Sequence, residues 1–142
     1  MYKFNLQPLL NHRYYQEEIL QKEFAESKKY LTEEQEKLRI IKQKKREYSQ
    51  ELQQRQRNDF TVSELILYFR YLDRLSKDLD NQKHRVAIAE KQFNQKRKDL
   101  IEIMKMRKML EKLKEKRWKG FQYRMLKKER DSMDEIAAKQ IN

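Results

Sequence analysis

The sequence has one glycine, one proline, two histidines and no cysteine in 142 residues. Each scarcity closes off a kind of chemistry. Glycine and proline punctuate loops, so a chain nearly free of them has little loop to offer. A phosphate-cradling loop needs several glycines to bring backbone close to the phosphate, and Gly120 stands alone. Without cysteine there is no disulfide framework and no thiol chemistry. His12 and His84 are far apart and sit in no His-Glu-x-x-His or Cys/His pattern, so both read as surface or flank residues rather than ligands. No apolar run approaches the roughly 18 residues a membrane span needs. The opening Met1-Tyr2-Lys3-Phe4 has no apolar signal core, which fits a cytoplasmic protein. Carboxylates are plentiful, but a pair of helices offers no cleft in which burial could shift their pKa values. No catalytic residue, metal site or cofactor is expected.

What remains is charge and leucine. Charged residues make up 41% and hydrophobic residues 37%. Lys, Glu, Gln, Arg and Leu at such levels, with so little Gly and Pro, read as long helix or coiled coil. The length suits one domain but the apolar content does not suit a thick core. A narrow helix–helix seam needs only about two apolar residues in seven. Aromatics at 11% argue against disorder. A net charge of +12 calls for an acidic partner.

The chain is organised around Phe60-Thr61-Val62-Ser63-Glu64-Leu65. Thr61 followed by Glu64 is a capping box, and Phe60 with Leu65 occupies the two positions of a hydrophobic staple. The polar run Gln53-Gln54-Arg55-Gln56-Arg57-Asn58-Asp59 before it lets one apolar pattern fade before the next begins. The alternative is a chance Thr-x-x-Glu inside one continuous helix. The pattern favours an all-α fold, a long antiparallel two-helix coiled-coil hairpin with a C-terminal overhang. Arm one covers about 6–57, the tip about 58–61 and arm two about 62–139.

Arm one opens with Phe4, Leu6, Leu9 and Leu10, with Asn5 as a candidate N-cap and Pro8 in the first turn. A seven-residue step then runs Leu10, Glu17, Phe24, Leu31, Leu38, Lys45, Leu52, with companions Arg13, Leu20, Ser27, Glu34, Ile41, Tyr48 and Arg55. Arm two is cleaner: Leu65, Leu72, Leu79, Val86, Phe93 and Leu100, beside Tyr68, Leu75, Gln82, Ala89, Lys96 and Ile103. After Ile103 the apolar pattern slips to Met106, Leu110 and Leu113, which predicts local overwinding. A last stripe follows at Trp118, Phe121, Met125, Met133 and Ile136, interrupted by Gly120 as a possible bend. Folding about Asp59 sets Leu10 opposite residue 108 and Phe4 opposite residue 114. The turns from Trp118 onward then have no partner in the chain, so their stripe is frayed or made for another protein. Lys105 to Lys119 is a basic stretch in an otherwise mixed surface. Tyr48, Tyr68 and Tyr71 read as packing residues or a recognition face. Met104, Met106 and Met109 read as gap-fillers or an adaptable binding strip.

The opening Phe4-Asn5-Leu6-Gln7-Pro8-Leu9-Leu10, the tip Thr61-Val62-Ser63-Glu64-Leu65, and Tyr68-Phe69-Arg70-Tyr71-Leu72-Asp73-Arg74-Leu75 resemble the flagellar export protein FliJ. So do Leu110-Glu111-Lys112-Leu113 and the stretch from Lys128 to Ala137. The resemblance covers nearly the whole chain. It implies a non-enzymatic stalk of the flagellar type III export apparatus, similar in fold to the γ stalk of rotary ATP synthases. The implied place is cytoplasmic, at the inner-membrane export apparatus and held there through partners. The implied partners are the export ATPase FliI hexamer, the export gate FlhA and export chaperones. The end carrying both termini would enter the ATPase ring and promote its assembly or activity, with Lys112, Lys116, Lys119, Phe121, Met125 and Met133 as contacts. Carried over by position, the gate patch would be Ile41, Tyr48, Tyr71, Leu75 and Gln82. Lys44 and Asp78 depart from the family's pattern beside that patch.

Three other readings compete. A basic stretch beside Trp118, Phe121 and Tyr123 suits a nucleic-acid-binding hairpin, but those rings fit a helical stripe better than an open stacking platform. No nucleic-acid partner is expected. A membrane-surface helix is disfavoured by the charge on so long a coiled-coil arm. The equivalent stalk of a virulence secretion system would differ only in the machine it serves.

Overall fold

The computed structural model describes residues 2–55 and 60–141. Two helices, α1 (Gln7–Arg55) and α2 (Val62–Ile141), pack against each other as an antiparallel hairpin, with no strand among the described residues. Asn58 and Asp59, expected at the tip, lie outside the described residues, as do the last two positions expected for arm one. The chain divides into two units, one of residues 1–20 with 99–142 and one of residues 21–98.

Both helix starts follow from local chemistry. The Gln7 N–H donates to the Phe4 carbonyl (3.0 Å), and the Leu10 N–H to the Leu6 carbonyl (2.9 Å). Leu6 therefore stands at the N-cap, not Asn5, and the chain enters α1 through a turn closed by backbone alone. Pro8 sits in the first turn, where a missing N–H costs no helical bond. At α2 the Thr61 carbonyl accepts from the Leu65 N–H (3.1 Å), and its hydroxyl accepts from the Glu64 N–H (3.3 Å). Phe60 sets its ring edge-on against Tyr68 (5.3 Å), one turn beyond the Leu65 that a staple would use.

In residues 21–98 the seven-step series is the seam. Leu52, Leu75, Leu79, Val86 and Ala89 are buried, and Phe24 stacks on Phe93 with centroids 5.0 Å apart. The polar breaks are accommodated locally. The Ser27 hydroxyl donates to the Phe24 carbonyl (2.8 Å). Glu34 is buried against Gln82, whose amide donates to the Glu34 carbonyl (2.9 Å) and carboxylate (2.5 Å). Phe24 with Phe93, Glu34 with Gln82 and Tyr48 with Tyr68 have residue numbers that sum to nearly the same value, as antiparallel arms require.

In residues 1–20 and 99–142 the expected slip after Ile103 is seen only in part: Leu110 and Leu113 are half-buried, but Met106 is not. Met104, Arg107, Leu110, Glu111, Leu113, Lys114 and Phe121 are half-buried, while Met106 is 41% exposed. Arg107, Lys114 and Phe121 continue the seven-step series of Leu100, and Leu110 continues that of Ile103, whose next step, Arg117, is exposed. The apolar pattern alone skipped two cations whose long stems line a seam as well as a leucine does. Arg107 is held by Glu17, itself 8% exposed. Side chains lean toward their own helix's N-terminus, so on antiparallel helices these two lean toward each other and meet across the intervening turn.

Candidate functional site

At the end carrying both termini, the rings of Tyr2, Trp118 and Phe121 form a clasp. Tyr2 lies 5.3 Å from both Trp118 and Phe121, and Trp118 stacks on Phe121 at 5.9 Å. Phe4 is buried beneath the guanidinium of Arg117, 5.7 Å from its ring. Trp118 and Phe121 therefore have a partner within the chain, contrary to expectation. Counting back from Phe4 ended the pairing too early, because Tyr2 reaches past it. Beyond the clasp the expectation stands: residues 122–141 are all exposed, including Met125, Leu126, Met133 and Ile136. With Trp118, the residues Met125, Met133 and Ile136 fall on one side of α2 by helical spacing.

Behind the clasp lies a charged network. Arg107 binds Glu17 and, at 3.0 Å, Glu111, which also accepts from the Tyr14 hydroxyl. The Tyr14 bond and then Arg107 hold the Glu111 carboxyl below its usual range. The same bond raises the Tyr14 phenol, and Glu17 first, Glu111 second, hold the guanidinium more firmly protonated. Of the expected ATPase contacts, Lys112 and Lys116 are exposed, Lys119 pairs with Glu115 (3.1 Å), Phe121 is half-covered, and Met125 and Met133 are open.

The gate patch sits differently. Tyr48 packs between Tyr71 (4.3 Å) and Tyr68 (6.0 Å), and Ile41 is half-buried. The Tyr68 hydroxyl donates to Glu51 (2.9 Å), and Arg55 lies over its ring. Leu75 and Gln82, at 5% and 3% exposure, face into the seam, because they occupy its companion positions; neither presents a surface to a partner. Gln82, then Lys37, hold the Glu34 carboxyl below its usual range.

One surface was missed. Lys37, Arg39, Lys42, Lys44, Lys45 and Arg46 stand between Glu36 and Glu47 with no acid among them. Lys37 and Arg39 are neutralised by Glu34 and Glu36, whereas Lys42, Lys45 and Arg46 line an open groove of about 380 Å³ with Ser49, Gln50 and Gln53. The run of cations was its sequence signal. Among the described residues no group of acids and histidines could hold a metal ion, and no helix is long and apolar enough to cross a membrane.

A paired seam, a capped tip and a helix end left bare define a coiled-coil stalk rather than a globular binding domain. The model of the family described as "Flagellar FliJ protein" matches residues 2–142, and the chain belongs to the FliJ family. Membership makes it a stalk component of a type III export apparatus. Among solved structures it is similar to CT670 of Chlamydia trachomatis, a YscO homolog, with a TM-score of 0.78 over 96% of this chain and 93% of that one. At 22% identity that likeness speaks for the fold. No curated protein matches the chain.

Proposed function

We propose that the chain is a non-enzymatic stalk whose termini-bearing end enters the ring of the export ATPase FliI. There it promotes ring assembly or activity, and elsewhere it meets the export gate FlhA and export chaperones. The carrying observation is the bare stretch 122–141, where Met125, Met133 and Ile136 form an apolar stripe on an otherwise charged helix. An apolar helix face without an internal partner fits a groove or a ring lumen. With no catalytic group of its own, the stalk acts by favouring one conformation of the ATPase over another. At the gate, Tyr48, Tyr71 and Ile41 have partly open faces, and Leu75 and Gln82 act from behind by holding the arms together. The rings of Trp118 and Phe121 are engaged by Tyr2, which weighs against a stacking platform for nucleic acid.

The test is binding to a purified FliI hexamer. Charge steers association and buried apolar anchors set lifetime. Reversing Lys112, Lys116 and Lys119 to Glu should slow association, most at low salt. Replacing Met125 and Met133 by Ala should speed dissociation by about 1–2 kcal/mol, as hot-spot residues do, and leave melting within about 0.5 kcal/mol of wild type. Wild-type kinetics for both variants would refute the reading.

A further inference from the structure

Two grooves flank Gln7 and Lys114 near the clasp. One, of about 450 Å³, is lined by Tyr2, Lys3, Phe4, Gln7 and Lys114. The other is lined on one side by Glu111 and Glu115, but the first has two cations and no acid. The Tyr2 hydroxyl and the Gln7 side-chain carbonyl are both buried with no hydrogen-bond partner among the described residues. The Gln7 amide is already committed to Asn11 (2.9 Å). Lys114 occupies a seam position and is half-buried, and no carboxylate among the described residues pairs with it or with Lys3. Buried polar atoms left unmatched are rare and costly, and their chemistry states what would relieve them. Here the set is an O–H donor, two ammonium groups and one amide-type acceptor. A carboxylate satisfies the first three, and a neighbouring N–H satisfies the last. A peptide carrying Asp or Glu supplies both at once; a simple anion supplies only the first.

We propose that this groove is a binding site for an acidic peptide segment of a protein partner. Its carboxylate lies between Lys3, Lys114 and the Tyr2 hydroxyl, and its backbone N–H donates to Gln7. The proposal deepens the stalk reading and rests on it for who presents the acid, though not for the groove itself. A test without the ATPase therefore lets either fail alone.

The experiment titrates the full chain with an N-acetylated, C-amidated Gly-Glu-Glu-Gly peptide at low ionic strength. The readouts are fluorescence of Trp118, the single tryptophan, and the NMR shift of the Gln7 side-chain amide. Saturable binding is expected. Tyr2→Phe keeps the ring and removes one hydrogen bond to a charged group, so it should weaken binding about fivefold or more. Lys114→Gln should weaken it about tenfold. Lys127→Gln, an equal charge loss on bare α2, should leave it unchanged. Tyr2→Phe should also melt no lower than wild type, since it removes only an unmatched hydroxyl. The proposal is overturned if Lys127→Gln weakens binding as much as Lys114→Gln, or if Tyr2→Phe binds as wild type or melts clearly lower. It is equally overturned if the Gly-Gln-Gln-Gly peptide or inorganic phosphate binds as tightly.

Discussion

Residues 21–98 close their seam with Leu75, Leu79, Val86, Ala89 and the stacked Phe24 and Phe93, and admit one layer of Glu34 with Gln82. Residues 1–20 and 99–142 put Glu17, Arg107 and Lys114 at equivalent positions and finish with aromatic rings. The heptad is the same in both; what fills it is not. Burial of leucine and valine gives cohesion but little sense of register, because a slip of seven residues sets apolar against apolar again. A buried carboxylate tolerates only the register that brings its partner. The apolar half therefore supplies adhesion, and the polar layers decide which pairing the adhesion serves.

That contrast can be broken most forcefully at Arg107. Arg107→Ala leaves Glu17 buried without a counter-charge and should cost about 3–5 kcal/mol in denaturant melts. Replacing Glu17 and Arg107 together by Leu should instead be near neutral or stabilising, with looser register visible as alternative pairings in cross-linking. Equal losses from the single and double variants would mean the pair holds no register. Leu75→Ala should cost about 2–3 kcal/mol, toward the low end for buried leucine because a two-helix seam can close on the gap.

Acid should weaken a polar layer in each region, with a smaller effect. Glu34 and Glu111 titrate below their usual range in the folded chain. The stability they contribute is present above the ordinary carboxylate pKa and is lost as pH falls through and below it. Glu34→Gln and Glu111→Gln should each shrink that acid-side loss in thermal melts. The smallest effect is expected at the tip. Thr61→Ala removes a long, exposed cap bond and should cost about 0.5–1 kcal/mol. An unchanged melt there would mean that α2 is anchored by Phe60 and Tyr68 rather than by its cap.

The fold was legible wherever the seam was apolar. Every member of the arm-two series from Leu65 to Ile103 is buried or half-buried, as periodicity required. It became illegible where cations carry the seam. Reading apolar residues alone, Met106 drew the pattern away from Arg107, and Leu113 hid the half-buried Lys114 beside it, although an unbroken count of seven passes through both cations. The candidate surfaces were less legible. The resemblance named Leu75 and Gln82 for the gate, but a seam position serves packing before it serves a visitor. Tyr2 stood outside every repeat, and only three-dimensional proximity joins it to Trp118 and Phe121.

Gly120 lies within α2 between Trp118 and Phe121, and a methyl placed there would meet nothing within 4 Å. Space therefore does not require the missing side chain. Alanine at that place would favour the helical state by about 1 kcal/mol of propensity. The glycine falls inside the clasp, one residue before its last ring, Phe121, and two before the bare helix that begins at Gln122. In mechanical language this is a step in bending modulus with a soft link built into it. A sideways load on the free end should therefore bend α2 at that link first, and Gly120→Ala should move amide exchange there toward that of its helical neighbours. Under the proposed function, a partner that grips residues 122–141 would load that link before the register behind it.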